Sequence, residues 1–192
     1  MELRCAWVTR DPEYIEYHDK QWGRPVYDAR ELFAKLCLDG QQAGLSWITI
    51  LKRTESYHRA YADFDPVRIA QFDEQDVERL MQDTGIIRNR LKVQSIIKNA
   101  RAYLALEAEG IEFVDYLWGF VGGAPIVNQR QGNGDIPATS PESDAMSKAL
   151  KKRGFTFVGS TICYAFMQAV GMVNDHLVTC PCHAECQQAA AT

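Results

Sequence analysis

The sequence predicts an all-α protein, folded as a single compact domain over residues 1–182 and followed by a disordered tail, 183–192. Three observations predict it. Apolar residues recur at i, i+3 and i+4 through most of the chain. Capping acids stand at several of the points where these patterns begin, twice with proline at the next position. No stretch alternates apolar and polar residues as a half-buried strand does. With 192 residues, 46% of them hydrophobic, the chain is long enough to enclose one real core.

The elements follow in order. Asp11-Pro12-Glu13 opens the first helix. Asp28 opens a second, with Leu32, Phe33, Leu36 and Cys37 on its inner face, and Asp65-Pro66 repeats the start signal. Asp73, with Asp76 three residues on, begins a short helix through Val77 and Leu80. Leu91, Ile96, Ile97, Ala100 and Leu104 mark a long amphipathic helix over 89–108. Ser143 is expected to cap a helix ending at Arg153, and 160–171 reads as a buried helix. Residues 122–142, rich in Gly, Pro, Ser and Asn, form a connection longer than compact domains usually carry. It is either a surface excursion or a loop covering a pocket or facing DNA.

Charge and composition bound the function. A net charge of −4 speaks mildly against a nucleic-acid partner for the molecule as a whole. Any DNA surface must therefore be a local patch of Lys and Arg. Met1-Glu2-Leu3-Arg4 leads into no apolar leader, and no apolar run approaches the roughly 18 residues of a membrane span. A cytoplasmic protein with no membrane partner is expected, in which six cysteines are thiols or metal ligands rather than disulfides.

Four places carry chemistry. His176 and Cys180, spaced i, i+4, share one face if that segment is helical, and Cys5 and His18 at the other end could complete a closed Cys2His2 site. A rival local set, Cys180, Cys182, His183 and Cys186, needs no N-terminal ligand. Between the helices near Met81 and Asn89, Thr84-Gly85-Ile86-Ile87-Arg88 has the outline of a helix-hairpin-helix, spanning about residues 74–108 in all. These residues are either an ordinary helix–helix turn or such a hairpin, in which Gly85 permits a tight turn at positive φ and the helix N-terminus faces a phosphate, with Arg88, Arg90 and Lys92 adding charge. The basic run Lys148, Lys151, Lys152 and Arg153 reads either as a solvated helix end or as a DNA contact. Finally Trp7, Tyr14, Tyr17, Trp22 and Trp47 surround a lone acid, Asp39, in an apolar stretch; they are either core or a stacking pocket for an extruded base.

The stretches CAWV, DPEYIEYHDKQWG, LDGQQAGLSWITIL, FDP, GIIRNRLK and SDAMSKALKKRGFTFVGSTICYAFMQAVGMVNDH, with Cys180 after them, resemble the bacterial 3-methyladenine DNA glycosylase I family. The resemblance runs in one order over roughly 5–180. It implies a helix-hairpin-helix DNA glycosylase fold and one structural Zn2+ on Cys5, His18, His176 and Cys180, clipping the termini together. Cys182, His183 and Cys186 would then be spare groups of the tail. It also implies a base pocket of Trp7, Tyr14, Tyr17, Trp47 and position 39, where the family carries Glu and this chain Asp39.

The activity so implied is excision of 3-methyladenine from alkylated duplex DNA without a lyase step, by a monomer, leaving an abasic site. Gly85, Ile86, Arg88 and Arg90 of the hairpin are the expected DNA contacts. Gln42 and Leu45 are expected to wedge into the gap left by the base. A non-catalytic, zinc-stabilised DNA-damage-binding module is the alternative.

Overall fold

The computed structural model describes residues 3–192. Its helices are α1 (Pro12–Lys20), α2 (Ala29–Gln41), α3 (Trp47–Leu51), α4 (Thr54–Ala60), α5 (Pro66–Ile69), α6 (Glu74–Met81), α7 (Arg90–Ala108), α8 (Phe113–Trp118), α9 (Pro141–Lys152), α10 (Ser160–Ala169) and α11 (Pro181–Ala190). The predicted start signals operate as expected. The Asp11 carboxylate accepts the N–H groups of Glu13 and Tyr14, Asp28 that of Glu31, Asp65 that of Val67 and Asn89 that of Lys92. Asp73 and Asp76 form a reciprocal capping box. Each such cap is worth on the order of 1 kcal/mol.

The core lies where α2 and α10 pack on each other, with α9 against α10 and α5, α6 and α2 against α7. Leu32, Phe33 and Leu36 of α2, Ile96 and Ala100 of α7, and Phe166 and Met167 of α10 are fully enclosed. None of the helices is long and apolar enough to cross a membrane, among the described residues.

Several expectations are corrected. Leu91, placed on the inner face of α7, is 65% exposed, because the turn is oriented so that its neighbours Lys92 and Val93 are the residues buried there. Helix α9 begins earlier than predicted: Ser140 is the cap, Pro141 the first helical residue, and Ser143 closes the capping box. The segment between His176 and Cys180 is not helical. It is a tight turn closed by the Cys180 N–H on the Leu177 carbonyl at 2.8 Å. Residues 183–192 do not form a loose tail either. Pro181–Ala190 is a helix started by proline, and it buries Cys182, His183 and Cys186 against the body. Arg24 fixes it through Glu185 at 2.7 Å. All six cysteines are buried and free.

The long 122–142 connection is pinned rather than free. Two-residue strands, β1 (Ile126–Val127) and β2 (Val173–Asn174), pair in parallel, and Arg130 bridges Leu177 beyond them. Strands this short carry no alternation for the sequence to display. Asp175, fully buried, accepts from Asn128, Arg130, Tyr164 and Gln168, so one carboxylate binds the connection to α10 and to the segment entering His176.

Candidate functional site

A cleft of about 360 Å³ opens between α1, α2, α3 and α10. Trp7, Tyr14, Tyr17, Asp39 and Trp47 all line it, so the residues singled out in the sequence meet in space. Trp22 and Gln42 join them, together with Gln168 and the loop residues Asn133 and Ile136. The 122–142 connection is therefore a wall of the cleft. Tyr14 and Tyr17 face the same side because they stand i, i+3 on α1. Trp7 packs at 5.1 Å on Tyr14 and edge-on at 5.0 Å on Trp22; Tyr17 and Trp47 lie 5.6 Å apart, tilted by 39°. At that separation the last two touch each other, which leaves no gap between the rings for a planar ligand.

Asp39 is the ionisable acid of the cleft, and it is buried. Its Oδ1 takes Lys35 Nζ, one helical turn earlier, at 3.3 Å. Its Oδ2 has no partner, and neither do the buried Nε1 atoms of Trp7 and Trp47. The described residues hold four such atoms, and three of them belong to side chains lining this cleft. Unpaired buried polar atoms cost about 1–3 kcal/mol each, so their concentration at one place marks a site awaiting a polar ligand. Burial pushes the Asp39 carboxyl up to about 6, with Lys35 opposing. Burial likewise holds the Tyr17 phenol well above its usual range. Lys35 is absent from the sequence-based site; its i, i+4 relation to Asp39 was the available signal. Gln168 and Asn133 join the cleft only through the tertiary fold.

Behind the aromatic wall lie Cys5, His18, His176 and Cys180, all buried, their ligand atoms within 4.8 Å of one another. Cys5 Sγ is 3.5 Å from His176 Nδ1, and Cys180 Sγ is 3.7 Å from His18 Nε2 and 3.8 Å from His176 Nδ1. A tetrahedral ion with Zn–S of about 2.3 Å and Zn–N of about 2.0 Å sets S···N edges of about 3.5 Å, so the four groups fit one. The other nitrogen of each ring is engaged too: His18 Nδ1 with Asp19 Oδ1 at 2.7 Å, His176 Nε2 with the Trp22 carbonyl at 2.8 Å. Such partners orient imidazoles for a metal. Cys5 also accepts the Leu177 N–H. Hydrogen bonds from Cys182, then Cys5, hold the Cys180 thiol far below its usual range.

The rival tail set is not assembled. His183 is turned onto the Asn128 carbonyl at 2.7 Å, and Cys186 faces the Trp22 carbonyl. Cys182 approaches His18 and Asp19 instead.

The hairpin forms between α6 and α7. Gly85 is not at positive φ, which corrects the conformational reason given for it. Its need is space: a Cβ would lie 2.7 Å from both Cβ and Oγ of Ser56. Ile86 is buried, and Arg88 is exposed. Arg90 is shared between Glu74 at 3.1 Å and Glu78 at 2.7 Å. Lys92 is no surface cation: its ammonium is buried on the carbonyls of Gln41 and Ala43, at 2.7 and 2.6 Å. In the basic run of α9, Arg153 pairs with Glu109.

Lys92 instead builds the turn that carries Gln42 and Leu45. Gly44 at φ +77° lets that turn close, and the Gln42 side chain donates to the Leu45 carbonyl at 2.7 Å. Leu45 is left exposed beside the cleft. The Tyr57 hydroxyl donates to Gln41 Oε1 and accepts the Ile87 N–H, so turn and hairpin hang on one buried phenol.

Residues 7–183 match the family model described as methyladenine glycosylase. DNA-3-methyladenine glycosylase 1 of Escherichia coli (strain K12) is 58% identical over 180 residues, spanning 94% of this chain and 96% of the relative. A crystal structure of 3-methyladenine DNA glycosylase I superposes with a TM-score of 0.93 at 58% identity, covering 94% of this chain and all of that one. A tyrosine-to-phenylalanine variant of 3-methyladenine DNA glycosylase I, solved in complex with 3-methyladenine, matches at 0.89 and 40% identity, over 93% of this chain and 96% of the other.

Proposed function

The chain belongs to the methyladenine glycosylase family, and from that premise we propose that it excises 3-methyladenine from alkylated duplex DNA, leaving an abasic site. One observation carries the reading. An aromatic cleft holds a buried carboxylate with one oxygen unpartnered, beside two unpartnered indole N–H groups. That is a receptor for a flat base with polar edges, reached only once the base has left the stack.

The chemistry asks little of the protein. In the nucleotide, 3-methyladenine carries a positive charge. Cleavage of the C1′–N9 bond leaves both bonding electrons on the base, which departs neutral. Water bonds to C1′ and loses a proton. The base rests on the Tyr17–Trp47 pair, and Asp39 Oδ2 accepts a hydrogen bond from its amino edge. Trp7 and Tyr14 extend the aromatic lining beside that pair. Leu45, exposed at the tip of its turn, fills the space vacated in the duplex, with Gln42 bracing it. The backbone of Gly85 and Ile86, with Arg88 and Arg90, receives the phosphates. No lyase step is expected: Lys35, the amine adjoining the cleft, is committed to Asp39 and to the Trp47 face.

Zn2+ is the ion we assign to Cys5, His18, His176 and Cys180. Four protein ligands leave no open position, so its role is to hold residues 5–18 against 176–180. We further infer a monomer acting in the cytoplasm. The test is direct: the purified protein is incubated with methylated duplex DNA and the released bases are identified. Release of 3-methyladenine is expected. Binding to abasic DNA with no base released would overturn the reading in favour of a non-catalytic damage-binding module.

A further inference from the structure

Lys35 adjoins the pocket as a cation to which the proposed reaction gives no part. It reaches the pocket from behind, lining a neighbouring cavity of about 390 Å³ rather than the cleft itself. Its ammonium lies 3.3 Å from the centroid of the Trp47 ring, 5.2 Å from that of Tyr17 and 3.3 Å from Asp39 Oδ1. The side chains of Lys35 and Asp39 are 16% and 4% exposed, so solvent screens this pair weakly. One cation thus touches the three side chains on which the base is to rest.

Resting on that reading of the site, we propose that Lys35 is a specificity-determining residue. It neutralises Asp39 and takes the rear face of Trp47, so that the cleft selects its base by shape and by one hydrogen-bond acceptor rather than by net negative charge.

The charges make the case. Asp39 is the carboxylate among the cleft-lining residues, and no Lys or Arg is among them. The other titratable groups that feel its charge, Tyr17 and Cys163, are kept protonated by burial. Burial lowers the Lys35 ammonium and Asp39 alone opposes it, so the charge of each depends on the other; Lys35 is the cation that answers Asp39, and together they leave the pocket close to neutral. A pocket with Asp39 alone would hold the cationic nucleotide tightly before reaction. It would resist the moment when the base gives up its positive charge. A fixed cation behind the ring favours that loss, because it repels the charged base and tolerates the neutral one. Lys35 thus exchanges ground-state affinity for rate, which is the direction catalysis needs. It also holds Asp39 Oδ1, leaving Oδ2 as the single free acceptor.

The test uses two probes on the whole protein at pH 7 and pH 8: free 3-methyladenine, which is neutral, and 3,9-dimethyladeninium, a cation with methyl in place of the sugar. Calorimetry gives the affinity ratio, cation over neutral. Lys35→Met, and Lys35→Gln in case the first misfolds, should raise that ratio about tenfold or more, a like charge a few ångströms away having been removed. The rise should be larger at pH 8, where an Asp39 deprived of its cation is more fully ionised. Both variants should bind methylated DNA more tightly yet release base more slowly in single turnover, whereas Lys35→Arg keeps the wild-type values. A ratio unchanged in both neutral variants, in protein that still excises base, would overturn the role of Lys35 alone. Wild-type protein that releases no base would overturn the glycosylase reading instead, whatever the ratio.

Discussion

Replacing Asp39 by asparagine tests base recognition most sharply. The amide keeps the shape but removes the charge and turns one acceptor into a donor. Wild-type Oδ2 is buried and unpartnered, so the ligand supplies its only strong bond. A charge-assisted hydrogen bond is worth about 1.5–3 kcal/mol, so affinity for free 3-methyladenine should fall about ten- to hundredfold. Stability should move much less, since two effects oppose. Burial raises the Asp39 carboxyl from 3.8 to about 6. Its folded value exceeds its unfolded one, so its contribution to stability is complete below pH about 4 and is lost as pH rises through about 6. Above that, carrying the charge costs about 3 kcal/mol at most, from roughly two pH units at 1.36 kcal/mol each. Asparagine removes that cost and deprives Lys35 of its partner, which returns part of it. Calorimetric titrations from pH 5 to 8 supply the check. The affinity ratio of wild type to Asp39→Asn should be large at pH 7.5 and shrink towards one as pH drops through about 6. Asp39→Glu should retain affinity, its carboxylate reaching about 1.5 Å further into the cleft. Equal affinities at pH 7.5, or a ratio indifferent to pH, would refute the argument.

Three other outcomes are expected. Metal analysis should find about one zinc per chain; Cys5→Ala or His176→Ala should lower both the metal content and Tm, and Cys182→Ala should leave the zinc in place. Retention of zinc after loss of both Cys5 and His18 would move the site to the C-terminal helix. Arg88→Ala should weaken DNA binding and reduce the magnitude of the slope of log K against log salt by about 0.9. The change from Arg90→Ala should be smaller, since Glu74 and Glu78 already hold that guanidinium. Gly85→Ala should cost about 1–3 kcal/mol in denaturant unfolding, because its Cβ meets Ser56, and Ser56→Gly should recover part of the loss.

The fold was legible where local chemistry decides it. Asp11, Asp28, Asp65 and Asp73 start helices by accepting backbone N–H groups a few residues away, and that is written in the sequence. The crowding of Trp and Tyr near the N-terminus marked the aromatic cluster and the Cys and His residues marked candidate ligands, but the resemblance was needed to choose pocket over core and the two-ended metal set over its rival, since the helical spacing offered for His176 and Cys180 is a turn. What escaped was long-range. Nothing local says that Lys92 turns inward, because its partners, the carbonyls of Gln41 and Ala43, stand about fifty residues earlier. Nor does anything local tie 126–127 to 173–174. The C-terminal helix is a different case: Pro181 at its first position and the Ala- and Gln-rich run after it are local helix signals, although chain termini are commonly loose.

The burial of the cysteines bears on survival. The lesion fitted by this pocket is made by small electrophilic methylating agents, and thiolates react with such agents faster than most groups in a protein. Cys5 and Cys180, the two sulfurs of the metal set, are 1% and 3% exposed, and the other four thiols are buried as well. A protein built this way leaves no cysteine thiol at its surface for the reagent that creates its substrate. Its thiols are thereby shielded from the same chemical assault that makes the protein necessary.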